Sequence, residues 1–150
     1  MPEHDYKNFP ELTNSQIEEF GFSSPHKQYT EDFRAFVVKV HDGDTINLRT
    51  EERDFDFPLR FVDIDAPEMN AGGDVARDWL KEQIEGEEVE IKINKQNRVG
   101  KYGRLLGKVI SRGLDMSETE LRLGLAQRFG KKMEEVAPSL NKMFALKQWF

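Results

Sequence analysis

From Phe33 onward the chain alternates apolar and polar side chains in short runs, whereas polar and turn-forming residues dominate before it. Phe36-Val37-Val38-Lys39-Val40 and Thr45-Ile46-Asn47-Leu48-Arg49 are rich in β-branched and aromatic residues and lie either side of an Asp-Gly pair. This predicts a hairpin, with Gly43 expected at the positive φ that a tight turn demands. A polar tip from Thr50 to Asp54 leads to a third strand, Phe57 to Ile64, so three strands form a meander. Val75, Ala76, Trp79, Leu80, Gln83 and Ile84 then recur at helical spacing, opened by Gly73-Asp74 and closed before Gly86. The Trp79 stripe reads as core. Further strands are predicted over Glu88 to Asn94 and Arg104 to Ser111. Ser117-Glu118-Thr119-Glu120 has the capping-box arrangement, placing a short helix before Gly124. Lys131 to Phe150 is expected to be helical on both sides of Pro138. The fold class is therefore mainly β with α (α+β): a five-stranded barrel of the OB type with about three helices.

Residues 1–32 read as an N-terminal extension and 33–150 as the barrel domain. The extension holds one helix-like island, Thr13 to Phe20, which Gly21 would end. Phe9, Leu12, Phe20 and Phe22 are apolar enough to dock on the domain; a tether for a protein partner is the alternative.

At 150 residues the chain has room for one core, and a monomer is expected. There is no cysteine, which excludes disulfides and thiolate metal sites. No signal peptide is visible at the start, so the cytoplasm is the default expectation, and no apolar run approaches a membrane span. A net charge of −6 argues against a broad basic surface for nucleic acid. Its distribution changes that picture, because residues 1–34 hold seven acids against three bases and residues 35–150 hold 21 against 19. Lys95, Arg98, Lys101 and Arg104 form a local basic run without an acid. Such a run alone reads as a solvated loop.

The candidate chemistry sits in three stretches: Asp42-Gly43-Asp44-Thr45, Arg60 through Glu68, and Lys101-Tyr102-Gly103-Arg104. An Asp-Gly-Asp turn has a purely conformational explanation. In Asp65-Ala66-Pro67-Glu68, by contrast, a proline of fixed φ separates carboxylates and keeps the loop from relaxing into helix. If Asp44 and Asp65 face one pocket, their repulsion is relieved by a cation or a proton, and a hard divalent ion suits oxygen donors. Arg60 and Arg104 offer planar forks that match phosphate oxygens. A metal with two arginines suits phosphodiester hydrolysis, in which charge gathers on the non-bridging oxygens. Strict alternation, however, would send Arg60 and Asp65 to opposite faces, so the third strand has to bend or end near Asp63-Ile64. His41, beside the turn, is expected to play a surface or strand-filling role, because calcium prefers oxygen.

These stretches, with Gly124-Leu125-Ala126 after a short helix, resemble the signature of the staphylococcal nuclease (thermonuclease-like) family, from about Phe33 to Ala126. The resemblance implies a calcium-dependent OB-fold nuclease acting on DNA and RNA, leaving 3′-phosphate and 5′-hydroxyl ends, with magnesium or manganese as lesser alternatives to Ca2+. Carried over by position, Asp44 and Asp65 would bind the ion through carboxylates and Ala66 through its carbonyl. Glu68 would orient or deprotonate water, Arg60 and Arg104 would clamp the phosphate, and Lys101 and Tyr102 would touch the terminal phosphate side of the nucleotide. Ala66 stands where the best-known member has threonine, which a carbonyl ligand tolerates. Gly100 replaces an aspartate often found before the Lys-Tyr-Gly-Arg stretch, which would loosen the loop. The tyrosines that stack on the base are missing, with Gly130 and Lys132 near their places and Phe129 close by. A catalytically silent module that binds nucleic acid or a protein is the competing class, but Asp44, Arg60, Asp65, Glu68 and Arg104 are all retained.

Overall fold

The computed structural model describes residues 10–20, 26–100 and 103–129. The strongest alternation produces the longest strand, β1 (Phe33–Asp42), in which Ala35, Val37 and Val40 point into the core. Two register shifts, between Val37 and Lys39 and between Val40 and Asp42, bend it. Such bulges raise local twist, which lets one strand serve two neighbours on a curved sheet. Its first half pairs antiparallel with β5 (Glu88–Lys92), and most of its length pairs with β2 (Thr45–Arg49). β2 pairs in turn with β3 (Phe57–Phe61), and β5 with β6 (Leu105–Ser111). Parallel pairing of β3 with β6, with Arg60 opposite Leu106, closes the circle into a five-stranded mixed barrel. Closure leaves these strands no free edge. The barrel has the OB architecture that the strand count predicts.

The interior is filled by inward positions of every strand, including Ile46, Leu48, Leu59, Phe61, Ile91, Leu105 and Val109, all fully buried. Each such side chain contributes about 1.5–3 kcal/mol relative to exposure. Helix α2 (Gly73–Ile84) covers the barrel with Ala76, Leu80 and Ile84, as the spacing predicts, and Trp79 packs against the core from its rim. Before these come α1 (Asn14–Phe20) and, after β6, the short strand β7 (Leu114–Asp115) and α3 (Met116–Leu123). Thr13 caps α1: its hydroxyl accepts from Gln16 N–H at 3.2 Å and its N–H donates to the Gln16 side chain at 3.0 Å. Leu12 and Tyr29, from the segment ahead of the barrel, are buried.

Three expectations need correction. The third strand stops at Phe61; after a bend at Val62-Asp63 the chain forms β4 (Ile64–Asp65), which pairs with β8 (Gln127–Arg128). The cap of α3 is Asp115, whose side chain accepts from Glu118 N–H at 3.2 Å, while Ser117 lies inside the helix and is buried. Positive φ is found at Gly72, Gly86, Gly103, Gly113 and Gly124 but not at Gly43. What glycine supplies at position 43 is space, since a Cβ there would lie 2.8 Å from Ala76 Cβ and 2.9 Å from Ala66 Cβ. The predicted helices flanking Pro138, together with Phe9, Phe22, Gly130, Lys132 and the side chain of Phe20, lie outside the described residues.

Candidate active site

The β1–β2 turn and the β3–β4 bend are brought together by the barrel, and the site forms between them. Thr45 pairs with Arg60 across β2 and β3, and Phe61 N–H donates to Asp44 O at 2.8 Å. The turn is held internally by Asp44 N–H donating to Asp42 Oδ1 at 3.0 Å. Because the strand ends at Phe61, the chain doubles back and places Asp65 on the same side as Arg60. The alternation conflict between these residues is thereby resolved.

Arg60 is the hub. Its Nη2 lies 3.4 Å from Asp44 Oδ2 and forms a close ion pair with Asp65 Oδ1. Its Nη1 donates to Phe61 O at 2.5 Å and Ile64 O at 2.9 Å, so one guanidinium both staples the bend and balances two carboxylates. Asp44 also accepts Ala66 N–H at 2.8 Å and the Thr45 hydroxyl at 3.0 Å. Burial, followed by the hydrogen bond with Asp42, pushes the Asp44 carboxyl up to about 6, against the opposing pull of Ala66 N–H and Arg60.

A further carboxylate enters from behind. Glu120 on α3 is fully buried, and among the described residues neither oxygen has a hydrogen-bond partner. Burial raises it to about 9, reinforced by the charges of Asp44 and Asp42. Neither Asp42 nor Glu120 stood out in the sequence as a site residue. Asp42 reads as a turn former, and Glu120 reads as the far end of a capping box.

Glu68 is exposed at the rim, immediately before a single 3-10 turn (Met69–Ala71); its carbonyl accepts from Ala71 N–H at 2.8 Å and Gly73 N–H at 2.9 Å. Gly73 is required there, because a Cβ would lie 2.3 Å from Pro67 O. Arg104 is half-buried and leads into β6, the strand beside Arg60. Gly100, expected to loosen that loop, donates its N–H to Arg104 O at 2.8 Å, so the loop is tied at its base. Lys101 and Tyr102 lie outside the described residues. His41 is exposed on β1. Phe129, just past β8, is 66% exposed, and the Arg60 guanidinium lies 5.6 Å from its ring centroid.

The donor set around Asp44 and Asp65 consists of oxygens and fits a hard cation better than a soft one. Among the described residues no three acidic or histidine side chains already converge as a finished cage. Arg60 lies against both carboxylates and supplies the positive charge between them.

The structure is thus a closed OB barrel with one arginine and two aspartates gathered at one bend. A family profile described as staphylococcal nuclease homologue matches residues 58–148, more than half of the chain, and the chain belongs to that family. It is also similar to a micrococcal nuclease of Shigella flexneri, 39% identical over 79 residues. That match covers 52% of this chain and 42% of the relative, so the chain spans less than half of that protein's length.

Proposed function

We propose that this chain is a calcium-dependent nuclease that hydrolyses phosphodiester bonds of DNA, RNA or both and leaves 3′-phosphate and 5′-hydroxyl ends. The observation that carries the reading is the contact of one guanidinium, Arg60, with both Asp44 and Asp65. Phosphate chemistry needs both signs of charge at one place, acids for a cation and a guanidinium for the anion. Membership of a nuclease family and similarity to a micrococcal nuclease support the same reading.

Asp44, Asp65 and the Ala66 carbonyl would hold the ion. When bound, a hard divalent cation polarises a phosphoryl oxygen and stabilises the charge that develops there. Arg60 and Arg104 supply fork-shaped donors to the non-bridging oxygens, which gain charge as water attacks. Glu68, which is exposed, would accept a proton from the attacking water. Lys101 and Tyr102 are assigned to the terminal phosphate side of the nucleotide.

Digestion of plasmid and of single-stranded DNA and RNA with calcium, magnesium or chelator tests the reading, run beside Arg104→Ala and Glu68→Gln. The expected result is calcium-dependent cutting that chelator abolishes and that each substitution reduces at least about a hundredfold. Equal cutting by the substituted proteins would remove the assigned roles. Binding without cutting would make the chain a silent nucleic-acid module.

A further inference from the structure

Arg98 takes no part in the acidic cluster around Arg60, yet it is buried, with its side chain 2% exposed. Its guanidinium is used on several sides. Nε and Nη2 donate to Tyr29 O at 2.9 and 2.6 Å, and Nη1 donates to Leu12 O at 2.9 Å and Asn14 Oδ1 at 3.2 Å. Nη2 also lies 3.7 Å from Glu11 Oε2. Glu11 is itself buried and ion-paired with buried Arg53, whose guanidinium stacks 4.5 Å from the Tyr29 ring centroid and 4.3 Å from that of Phe57. The acceptors of Arg98 thus all belong to the segment ahead of the barrel.

The main chain of Arg98 faces the other way. Its carbonyl accepts from Leu106 N–H at 2.7 Å, Val99 bridges Leu105, and Gly100 N–H donates to Arg104 O at 2.8 Å. These bonds form the base of the loop that delivers Arg104. One residue therefore joins the N-terminal segment to the phosphate loop, its side chain gripping the first and its backbone closing the second.

Mere docking of an N-terminal segment does not need a buried charge, since apolar side chains such as Leu12 cover the surface at lower desolvation cost. What a planar fork adds is direction, because its donors reach their carbonyls in only one placement. The aspartate that family resemblance leads one to expect before Lys101 is replaced by Gly100, so the loop has no side chain of its own at that position.

We propose that Arg98 is a positioning residue for phosphate binding, and that Glu11, Leu12, Asn14 and Tyr29 form a built-in brace that holds Arg104 through it. The inference rests on the assignment of Arg104 to phosphate made above.

The test uses the full chain carrying Arg98→Lys, which keeps the charge but loses the fork, and Asn14→Ala, an exposed change on the same tie that leaves the core untouched. Amide hydrogen exchange is followed at Gly100 and Leu106 and, as a reference, at Ile46 and Leu48. Cutting of a single-stranded oligonucleotide is measured with calcium. In Arg98→Lys the brace predicts exchange at least about tenfold faster at Gly100 and Leu106 with the reference amides unchanged. It also predicts kcat reduced about tenfold or more with KM within about twofold, since a small misplacement of a donor weakens the transition state most. Asn14→Ala moves both readouts the same way by less. Faster exchange spread evenly over the barrel would show a general stability role and overturn the proposal, as would a loosened loop with unchanged kcat. A wild-type chain that cuts nothing overturns the nuclease reading instead, and the exchange pattern still decides the brace.

Discussion

Glu120 Oε1 lies where a Cβ on Gly43 would come within 2.8 Å of it, so a buried carboxylate rests directly against the backbone of the Asp-Gly-Asp turn. Ala76 and Ala66 close the other sides of the same space at 2.8 and 2.9 Å. A glutamate terminus can swing away, but methyl groups fixed to helix and loop backbone cannot. Gly43→Ala is therefore expected to push the turn outward and to cost about 1–3 kcal/mol, as overpacking does. Urea unfolding with chelator present measures that loss, and calcium titration of the same protein should show weaker binding because Asp44 moves with the turn. An unchanged midpoint would mean that the turn has slack which the packing does not show.

The burial of Glu120 sets a pH dependence. Its carboxyl ordinarily titrates near 4.5 and is raised to about 9, first by burial and then by the charges of Asp44 and Asp42. Below pH 4.5 it is neutral in folded and unfolded chains alike. Between 4.5 and 9 the unfolded chain releases a proton that the folded one keeps, so stability falls as pH rises through this window. Asp44, raised from 3.8 to about 6, acts in the same sense over its lower range. Glu120→Leu removes the first contribution. Relative to wild type, the calcium-free variant should gain stability steadily from pH 5 to pH 8, by at most about 1.4 kcal/mol per pH unit for one proton. Urea midpoints across that range decide the matter, and parallel curves would refute it.

The meeting of Asp44, Arg60 and Asp65 was legible, because they lie on two short stretches joined by one hairpin, and even the bend near Asp63 follows from the requirement that Arg60 and Asp65 meet. The barrel was readable for the same reason, since alternation within each strand fixes its inner face. Glu120 was not legible, because the capping-box pattern of Ser117 to Glu120 does not say which helix face packs inward, and packing of α3 buries it. Gly43 was assigned the wrong cause: a dipeptide reports turn tendency, whereas crowding by Ala76 and Ala66 is tertiary. Arg98 read as part of a solvated basic run, and its partner Leu12 lies 86 positions away. No local pattern encodes such a distance.

Arg60 joins two acids that would otherwise repel, which makes its removal informative about the cation. Arg60→Ala leaves Asp44 and Asp65 without their shared guanidinium and also removes the donors to Phe61 O and Ile64 O. The calcium-free variant is expected to melt below wild type. Calcium should then raise its melting temperature by more than it raises that of wild type, because the ion takes over a charge-balancing role that Arg60 plays in the parent. Differential scanning calorimetry with and without calcium gives both increments. Equal increments would show that the ion does not take over the charge that Arg60 supplies, and no increment in either protein would show that it does not engage these carboxylates.

Phe129 offers the last test, on the substrate side. It is 66% exposed and lies beside Arg60, and its N–H donates to Asp63 O at 3.0 Å, which fixes the backbone just beyond the β4–β8 pair. Under the proposed reading, an exposed aromatic ring held next to Arg60 would give a nucleobase a flat surface while the adjoining phosphate met the guanidinium. Stacking of this kind is worth about 1–3 kcal/mol per base and tolerates any base. Phe129→Ala should weaken binding of a single-stranded oligonucleotide by about fivefold to a hundredfold, and of duplex DNA, whose bases are already stacked, by much less. Its melting temperature should match wild type, because the ring buries little. Fluorescence anisotropy with oligothymidylate and a matched duplex separates these outcomes, and equal losses on both substrates would remove stacking as the role of this ring.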